Sequence, residues 1–238
     1  MRHWRKSQHQ RFDGYKLSAA ATNTTEPLIT AIDVAPAGEQ DGPQAKHLVD
    51  AQPAERRPRR VLGDTAYATG PVRAELAGRD VDVLAPVPEA PVVEGRLAKR
   101  DFHIDLDAGT VTCPAGQLAQ VRTEPSGQRR ASFAKAACDA CPLRDRCVAP
   151  GRGRRSILIA PDEELMMAAR QALADPATAE HLRRTRPRIE RLLGLLAHRY
   201  GARKSRYIGR AKARLQAAWA AALVNLNPVA RRLATQSA

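Results

Sequence analysis

The hydrophobic pattern of the chain is interrupted in the middle, and this interruption limits the folds that the sequence can adopt. Between Pro88 and about Ser156 the chain is rich in proline, glycine and arginine, and it holds all four cysteines. Neither helical nor strand periodicity is visible there, which is unusual for so long a stretch inside a compact domain. The sequence therefore predicts three parts: residues 1–87 as a partial α/β core, residues 88–156 as a cysteine-rich insertion subdomain, and residues 157–238 as a helical part.

The part before the interruption has the pattern of an α/β domain. Apolar and polar residues alternate from Tyr15 to Thr24 and from Glu26 to Val34, which is typical of an antiparallel strand pair. A short helix is predicted within Asp41 to Gln52. The next apolar run ends at Asp64, so we predict a buried strand with this carboxylate at its carboxyl end. A further helix after Pro71 and a strand at 81–85 complete the pattern.

The part after the interruption is predicted to be helical. Helices are expected at Glu163–Ala174, from Ala177 to about Arg184, from Pro187 to Tyr200, and from about Gly209 to Leu226. Pro187 should start or kink its helix because proline cannot continue the hydrogen-bond ladder. The last helix is predicted to bury one apolar stripe, made of Leu215, Ala218, Trp219, Ala222, Leu223 and Leu226.

The charge of the chain points to a polyanionic partner. Thirty-nine Lys and Arg against twenty-five Asp and Glu leave a formal charge of +14, which attracts nucleic acid. A coding bias that enriches Arg and Ala would give the same excess without any binding role. No signal peptide is recognisable at the start of the chain, and no apolar run is long enough to span a membrane. We therefore expect a cytoplasmic, nucleoid-associated protein with no membrane partner.

Two carboxylates and four cysteines are the candidate ligands. Asp64, taken alone, fits a turn or helix cap, and Glu190, four residues after Arg186, fits a surface ion pair. Cys113, Cys138, Cys141 and Cys147 include one C-x2-C pair and could close a tetrahedral Zn²⁺ site. Free thiols are the alternative, and a disulfide fits a reducing compartment least well. The insertion is expected to be too polar to fold by apolar burial, so that a metal would order it.

Four blocks of the sequence, in order, resemble the DDE transposases of bacterial insertion sequences. These blocks are KSQHQRFDGYKL, LITAIDVAPAGEQD, VLGDTAYATG and RPRIERLLGLLAHRYGARKSRYIGRAKARLQAAWAAALVNL. The resemblance implies a ribonuclease-H-like α/β fold with a cysteine-bearing insertion, in which three carboxylates hold two Mg²⁺ ions for attack on DNA phosphodiesters. By position, Asp64 would be the second acid and Glu190 the third, and Arg186 would contact a phosphate near the scissile bond.

The sequence departs from the family pattern at two places. The first acid of the family lies on a strand upstream of the GYK block, and only twelve residues precede Asp13, so we expect an N-terminally truncated copy that lacks this strand. By the resemblance, Asp13 is not the catalytic acid. Ala197 stands where a Lys is common in the family, which puts that phosphate contact in doubt.

A cluster of basic residues follows Glu190 and flanks Tyr207. It is suited either to grip a DNA backbone or simply to remain solvated on a helix face, and its members are Arg203, Lys204, Arg206, Arg210, Lys212 and Arg214.

Three functional classes explain these features to different degrees. The first is a DNA-cutting and strand-transferring transposase domain, inactive alone, that works when another chain supplies the missing acid. The second is a non-catalytic remnant that binds the double-stranded DNA of transposon ends or zinc and regulates transposition, as a homo-oligomer or paired with full-length transposase. Such a remnant could also be a decaying open reading frame with no role. A zinc-ribbon protein of transcription or translation would explain the charge and the cysteines but not the four blocks.

Overall fold

The structure is a computed structural model that describes residues 3–5, 11–88 and 93–236. Residues 6–10 of the first resemblance block, and the side chain of Asp13, lie outside the described part. The strands are β1 His3–Arg5, β2 Arg11–Asp13, β3 Tyr15–Ala21, β4 Ile29–Pro36, β5 Arg60–Leu62, β6 Asp82–Leu84, β7 His103–Asp105, β8 Thr110–Thr112, β9 Leu118–Thr123, β10 Arg129–Ser132 and β11 Ser156–Ile159. The helices are α1 Gln44–Asp50, α2 Gly70–Ala77, α3 Lys135–Asp139, α4 Arg144–Cys147, α5 Glu163–Ala174, α6 Pro176–Gly194 and α7 Arg210–Gln236.

The chain divides into two compact units. The first unit comprises Met1–Val87 and Ala169–Ala238, and the second comprises Pro88–Ala168. Both units contain strands and helices, so the predicted α/β class is confirmed. Among the described residues, no helix is both long and apolar enough to cross a membrane.

The first unit contains two short sheets that carry most of the predicted elements. β3 and β4 pair antiparallel, with Leu17 opposite Val34, as the alternation predicts. β5 and β6 pair in parallel, with Val61 opposite Val83. Two-residue alternation gives each strand one face that packs against helices. Val49 of α1 and Leu76 of α2 close a core over β6, where each is at most 3% exposed.

A second core of the first unit lies between the β3–β4 hairpin and the C-terminal helices. Leu192 and Leu196 pack there with Ile29 of β4 and with Val224 of α7. Leu196 is 1% exposed, and burying a leucine side chain contributes about 1.5–3 kcal/mol before the cost of ordering the chain. The predicted apolar face at 189–200 is therefore confirmed.

The predicted boundaries within 177–200 were wrong. α6 runs without a break from Pro176 to Gly194, with Pro187 inside it, and a π-helical turn follows at Leu195–Arg199. Asp175 caps the start of α6, because its carboxylate accepts hydrogen bonds from the N–H groups of Ala177 and Thr178. A proline in a helix removes one backbone hydrogen bond, and α6 continues through Pro187 despite that loss, with Thr185 and Leu192 buried on either side of it.

The predicted buried stripe of the last helix was also wrong. Leu215, Trp219, Leu223 and Leu226 are 47–66% exposed, and Ala218 and Ala222 are exposed as well. α7 instead buries a face of small residues, made of Ala213, Ala217, Ala220, Ala221 and Val224. Small side chains let the helix backbone approach β4 closely. The Asn225 amide can then bond both the N–H and the C=O of Ile29, each at 2.8 Å.

The second unit is an antiparallel sheet with a core of its own, so the expectation of an unpatterned segment too polar to fold by apolar burial was wrong. The strand order is β11-β10-β9-β8-β7. Phe102, Val111, Phe133 and Ile157 are at most 5% exposed and belong to one cluster. The strands have only three to six residues, and such short runs give little periodicity to recognise in a sequence.

Candidate active site

Asp64 lies at the carboxyl end of a parallel strand, as the sequence predicts, although the strand is not buried as predicted: Arg60 is exposed, and Val61 and Leu62 are half-buried. Asp64 follows β5 after Gly63, and its Oδ1 accepts a hydrogen bond from the N–H of Ala66 at 3.0 Å. This bond caps a 3₁₀ turn at Thr65–Tyr67, and it leaves the second carboxylate oxygen available. The side chain is half-buried. Asp64 therefore acts as a local cap and still presents an oxygen that can bind a cation.

The turn after Asp64 is held in place from two sides. The Tyr67 hydroxyl lies 3.0 Å from the Ser18 Oγ on β3. Burial raises the pKa of the Tyr67 phenol against the opposing effect of the Ser18 hydrogen bond, and the charges of Asp41 and Asp64 raise it further. Gly42 packs so tightly that a Cβ would lie 2.9 Å from the Ala66 carbonyl oxygen. The backbone around Asp64 is consequently rigid.

Glu190 lies on the exposed side of α6. Its Oε1 is 3.1 Å from the Nε of Arg186, and the two side chains are 59% and 46% exposed. Such an (i, i+4) pair at a surface stabilises a helix by about 0.3–0.5 kcal/mol, so a stronger ligand could displace Arg186. The helix is anchored near Glu190, because Arg188 donates to the Asn23 side chain and to the Thr24 carbonyl.

Asp64 and Glu190 belong to the same unit, and β3 is the element that both neighbourhoods contact. Tyr67 reaches Ser18 on β3, whereas Leu192 of α6 and Leu17 of the same strand belong to one hydrophobic cluster. No hydrogen bond or ion pair between described residues joins the two carboxylates. Within the described part of the chain, no three His, Cys, Asp or Glu side chains form a group that could hold a metal ion. The structure thus shows two separate acids and not a completed metal centre.

A buried carboxylate on β4 was not recognised in the sequence. Asp33, 6% exposed in its side chain, lies 2.9 Å from the His47 Nδ1 and 3.3 Å from the Arg210 Nη2. Burial opposes ionisation, but the hydrogen bonds from His47, the Val34 backbone and Arg210 outweigh it and lower the pKa of Asp33. Arg210 also donates to the Val34 carbonyl. The Asp33 network therefore ties β4 to α1 and α7.

A buried arginine beside the Asp64 turn was also missed. Arg73 of α2 is 5% exposed, and it donates to the carbonyl oxygens of Ala68, Val83 and Ala85. Burial lowers the pKa of its guanidinium, and the charge of Asp82 acts in the opposite direction. Val83 lies within β6, and Ala85 directly follows the end of that strand. Arg73 therefore connects the carboxyl end of β6 to Ala68, which follows the turn that begins at Asp64.

The basic cluster after Glu190 begins on a braced loop and continues onto α7, which carries Arg210, Lys212 and Arg214. The Gln216 amide donates to the carbonyls of Gly201 and Lys204, and its Oε1 accepts from the N–H of Arg206. Four predicted DNA contacts are exposed and have no ion pair with a carboxylate among the described residues; they are Arg203, Lys204, Arg206 and Lys212. Arg210 differs, because Asp33 and Val34 already engage its guanidinium.

The structure brings the four cysteines into one neighbourhood of the second unit. Cys138 is buried, and Cys113 and Cys147 pack against the same core. Burial raises the pKa of the Cys147 thiol, Arg155 lowers it, and the nearby Cys138, Cys113 and Cys141 raise it. All four thiols are free. The N–H of Gln117 donates to the Cys113 Sγ at 3.3 Å. The four cysteines are therefore neighbours, although the described residues contain no formed metal centre.

Comparison with known proteins connects these observations. The family model described as "Transposase DDE domain" matches residues 112–230, half of the 238-residue chain. The matched residues include Glu190, the four cysteines and the basic cluster, whereas Asp64 lies before them. A search of curated proteins and a search of solved structures found no match. The chain belongs to the transposase DDE domain family.

Proposed function

We propose that the chain binds transposon DNA and supplies part of a metal-dependent centre that cuts DNA strands and transfers them. Its family assigns it to DNA transposition and to chemistry with divalent metal ions. The observation that carries the proposal is the order of features in the matched region: Glu190 on an anchored helix, then a basic cluster whose four exposed cations have no ion pair with a carboxylate of the described residues. A transposase needs an acid such as Glu190 for metal binding and basic residues for binding the DNA backbone.

Asp64 and Glu190 are the acids that we assign to this centre, as the second and third carboxylates of a ribonuclease-H-like arrangement. Hard oxygen ligands suit Mg²⁺, and each residue has at least one carboxylate oxygen outside its local hydrogen bond. Paired metals would activate the attacking hydroxyl and stabilise the leaving oxygen. Because the described residues hold no three-ligand group, we propose that another chain supplies a third acid and that this chain alone is inactive.

The basic cluster would position DNA beside Glu190. Arg203, Lys204, Arg206 and Lys212 are exposed cations in the same unit as Glu190, and Arg186 is one helical turn away from that acid. Contacts with phosphates release counterions, so affinity for DNA should fall steeply with salt. Gln216 would contribute indirectly, because it fixes the backbone from which Lys204 and Arg206 project.

A plasmid assay tests both parts of this proposal. The chain is incubated with supercoiled DNA in Mg²⁺, and binding and nicking are measured beside an Asp64→Asn/Glu190→Gln double variant. We expect both proteins to bind DNA and neither to nick it above background. Nicking by the unaltered chain that the double substitution abolishes would support a catalytic role of these acids and contradict the proposed inactivity. Failure of the unaltered chain to bind DNA would contradict the whole proposal.

A non-catalytic regulator of transposition is the second candidate. It is favoured by the local engagement of both acids, Asp64 as a cap and Glu190 in an ion pair, and by the absence of a three-ligand group among the described residues. A transposition assay with an intact transposase separates the two candidates. A regulator that carries Asp64→Asn and Glu190→Gln would inhibit transposition as well as the unaltered chain does. A partner that contributes acids would no longer support transposition when it carries these substitutions.

We also propose that Cys113, Cys138, Cys141 and Cys147 bind a structural Zn²⁺. Their thiols come from the turn after β8, from α3 and the residues after it, and from the end of α4. The N–H of Gln117 beside the Cys113 sulfur would stabilise a thiolate there. Tetrahedral thiolate coordination is typical of structural zinc, and the metal would fix the two short helices against the sheet.

A further inference from the structure

The second unit contains an arginine-lined pocket that none of the preceding roles uses. Its volume is about 650 Å³, and it lies beside the last two strands of the sheet. The side chains that matter are Arg130, Arg152, Arg154, Arg155, Ser132 and Ser156. Ser132 on β10 is directly opposite Ser156 on β11, so two hydroxyl-bearing residues and four guanidinium-bearing residues line one concave surface, together with the carboxylate of Glu124.

The positive charge of this pocket is only partly neutralised. Arg130 pairs with Glu124 at 2.8 Å. Arg155 has no carboxylate partner among the described residues and donates to the carbonyls of Cys147 and Leu97. Arg152 and Arg154 are exposed, and the described part of the chain offers them no ion pair. Three of the four guanidinium charges therefore remain uncompensated.

Arg155 is held rigidly at the pocket. Besides its two carbonyl bonds, its guanidinium lies 5.3 Å from the centroid of the Phe102 ring, a favourable cation–π distance. A charge fixed in this way loses little side-chain entropy when an anion arrives. Arg152 and Arg154, which are exposed, can reach outward from the same loop.

The cluster does not simply reflect the charge of the whole chain. The second unit has twelve Lys and Arg against eleven Asp and Glu, so it is almost neutral although the chain carries +14. One third of its basic residues nevertheless line this pocket. Arginine suits this location because its planar donors match phosphate oxygens.

We propose that this pocket binds the phosphodiester backbone of duplex DNA, as a second DNA contact separate from the basic cluster after Glu190. Arg155 and the two serines contact one phosphate, and the exposed Arg152 and Arg154 reach the adjacent phosphates along the strand. An extended polyanion fits this arrangement better than a single free phosphate does, because two of the cations lie at the exposed rim. The contact supports the proposed function, but it requires neither Asp64 nor Glu190.

DNA-binding titrations of the full chain test this assignment. Fluorescence anisotropy with a labelled duplex is measured without added Mg²⁺ over a series of salt concentrations, for the unaltered chain and for Arg152→Gln/Arg154→Gln. We expect roughly tenfold weaker binding, and a salt slope reduced by about 2, since each lost phosphate contact removes about one released counterion. Arg122→Gln/Arg146→Gln is the matched control, because it removes two exposed charges of the same unit outside the pocket.

The outcomes separate this contact from the catalytic proposal. The assignment is supported if DNA binding is weakened only in the pocket variant. The same result is expected when Asp64→Asn/Glu190→Gln is also present, and it does not depend on the result of the nicking assay. Equal weakening in the control variant, or an unchanged salt slope, would overturn it. Calorimetry with inorganic phosphate distinguishes the source of the anion: tight binding of free phosphate, combined with unaltered DNA affinity in the pocket variant, would contradict a DNA site.

Discussion

Single residues show most clearly what could and could not be inferred from the sequence. Asp64 could be predicted, because an apolar run that stops at an acid indicates the end of a buried strand. Arg73 and Asp33 could not, because their importance depends on partners that the fold brings together from distant positions. Arg73 binds carbonyls up to twelve residues away, and Arg210 reaches Asp33 from the last helix. A sequence pattern records neither main-chain acceptors nor such long-range pairs.

Arg73 should be among the most sensitive polar residues of the first unit. Arg73→Met keeps most of the volume but leaves three carbonyl oxygens without their donor, and we expect the free energy of unfolding to fall by about 2–4 kcal/mol. Arg79→Met is the control, because the Asp50–Arg79 pair is partly exposed and its loss should lower the free energy of unfolding less than the loss of Arg73. Urea unfolding measures both, and equal losses would contradict the role of Arg73.

Asp33 should make the stability of the first unit depend on acid pH. Its pKa in the folded chain lies below the ordinary value of 3.8, so the charged form stabilises the fold above that value, and this contribution disappears as the pH falls through the folded pKa. We expect Asp33→Asn to be destabilised at pH 7 and to approach the unaltered chain at the acid end of an unfolding series. A constant difference between the two proteins at every pH would contradict this prediction.

At the scale of helices and strands, the sequence predicted elements with long patterns and missed short ones. The β3–β4 hairpin and the apolar face near Leu192 were found because each alternates or repeats over many residues. The five short strands of the second unit were not found, although Gly109 and Gly127 mark two of its turns with positive φ angles of 63° and 79°. Turn glycines, and not hydrophobic periodicity, were the available signal there.

The face of α7 that packs could not be chosen from hydrophobicity alone. The larger apolar stripe is exposed, whereas the alanine face lies against β4, because close backbone approach allows the Asn225 amide to bond Ile29. Neighbouring residues test this assignment: Val224 is 3% exposed and Leu223 is 47% exposed.

We expect Val224→Ala to lower the free energy of unfolding by about 1–3 kcal/mol. Leu223→Ala should change it by less than about 0.5 kcal/mol, since surface substitutions usually have little effect. Thermal or urea unfolding of the two variants gives the comparison. The reverse order of the two effects would show that the larger stripe is the buried one.

Metal analysis tests the cysteine cluster as an element of the second unit. The purified chain should contain about one zinc per molecule, and a chelator should lower its melting temperature and expose all four thiols to a thiol reagent. Because the unit also buries Phe102 and Phe133, it should be destabilised rather than completely unfolded. A chain without zinc that melts at the same temperature with and without chelator would contradict the proposed site.

At the scale of the whole molecule, the sequence predicted the family and the class of fold but not how the chain is divided. Four ordered blocks identify a transposase, and the family match agrees. The helix Glu163–Ala174 was predicted as part of the last segment, whereas the division between the two units falls within it, at Ala168 and Ala169. Hydrophobic patterns identify helices, but they do not show which core a helix joins.

The central claim is that Asp64 and Glu190, although they are 126 positions apart in the sequence, bind the same metal-ion centre. Iron-directed cleavage of the full chain measures this directly: Fe²⁺ replaces Mg²⁺, and radicals generated with ascorbate and peroxide cut the polypeptide beside the bound ion. We predict cuts near both residues, all of them lost in Asp64→Ala and also in Glu190→Ala, and retained in the control Glu180→Ala on the same helix. Cuts near only one acid, or cuts at either acid that survive substitution of the other, would contradict the claim.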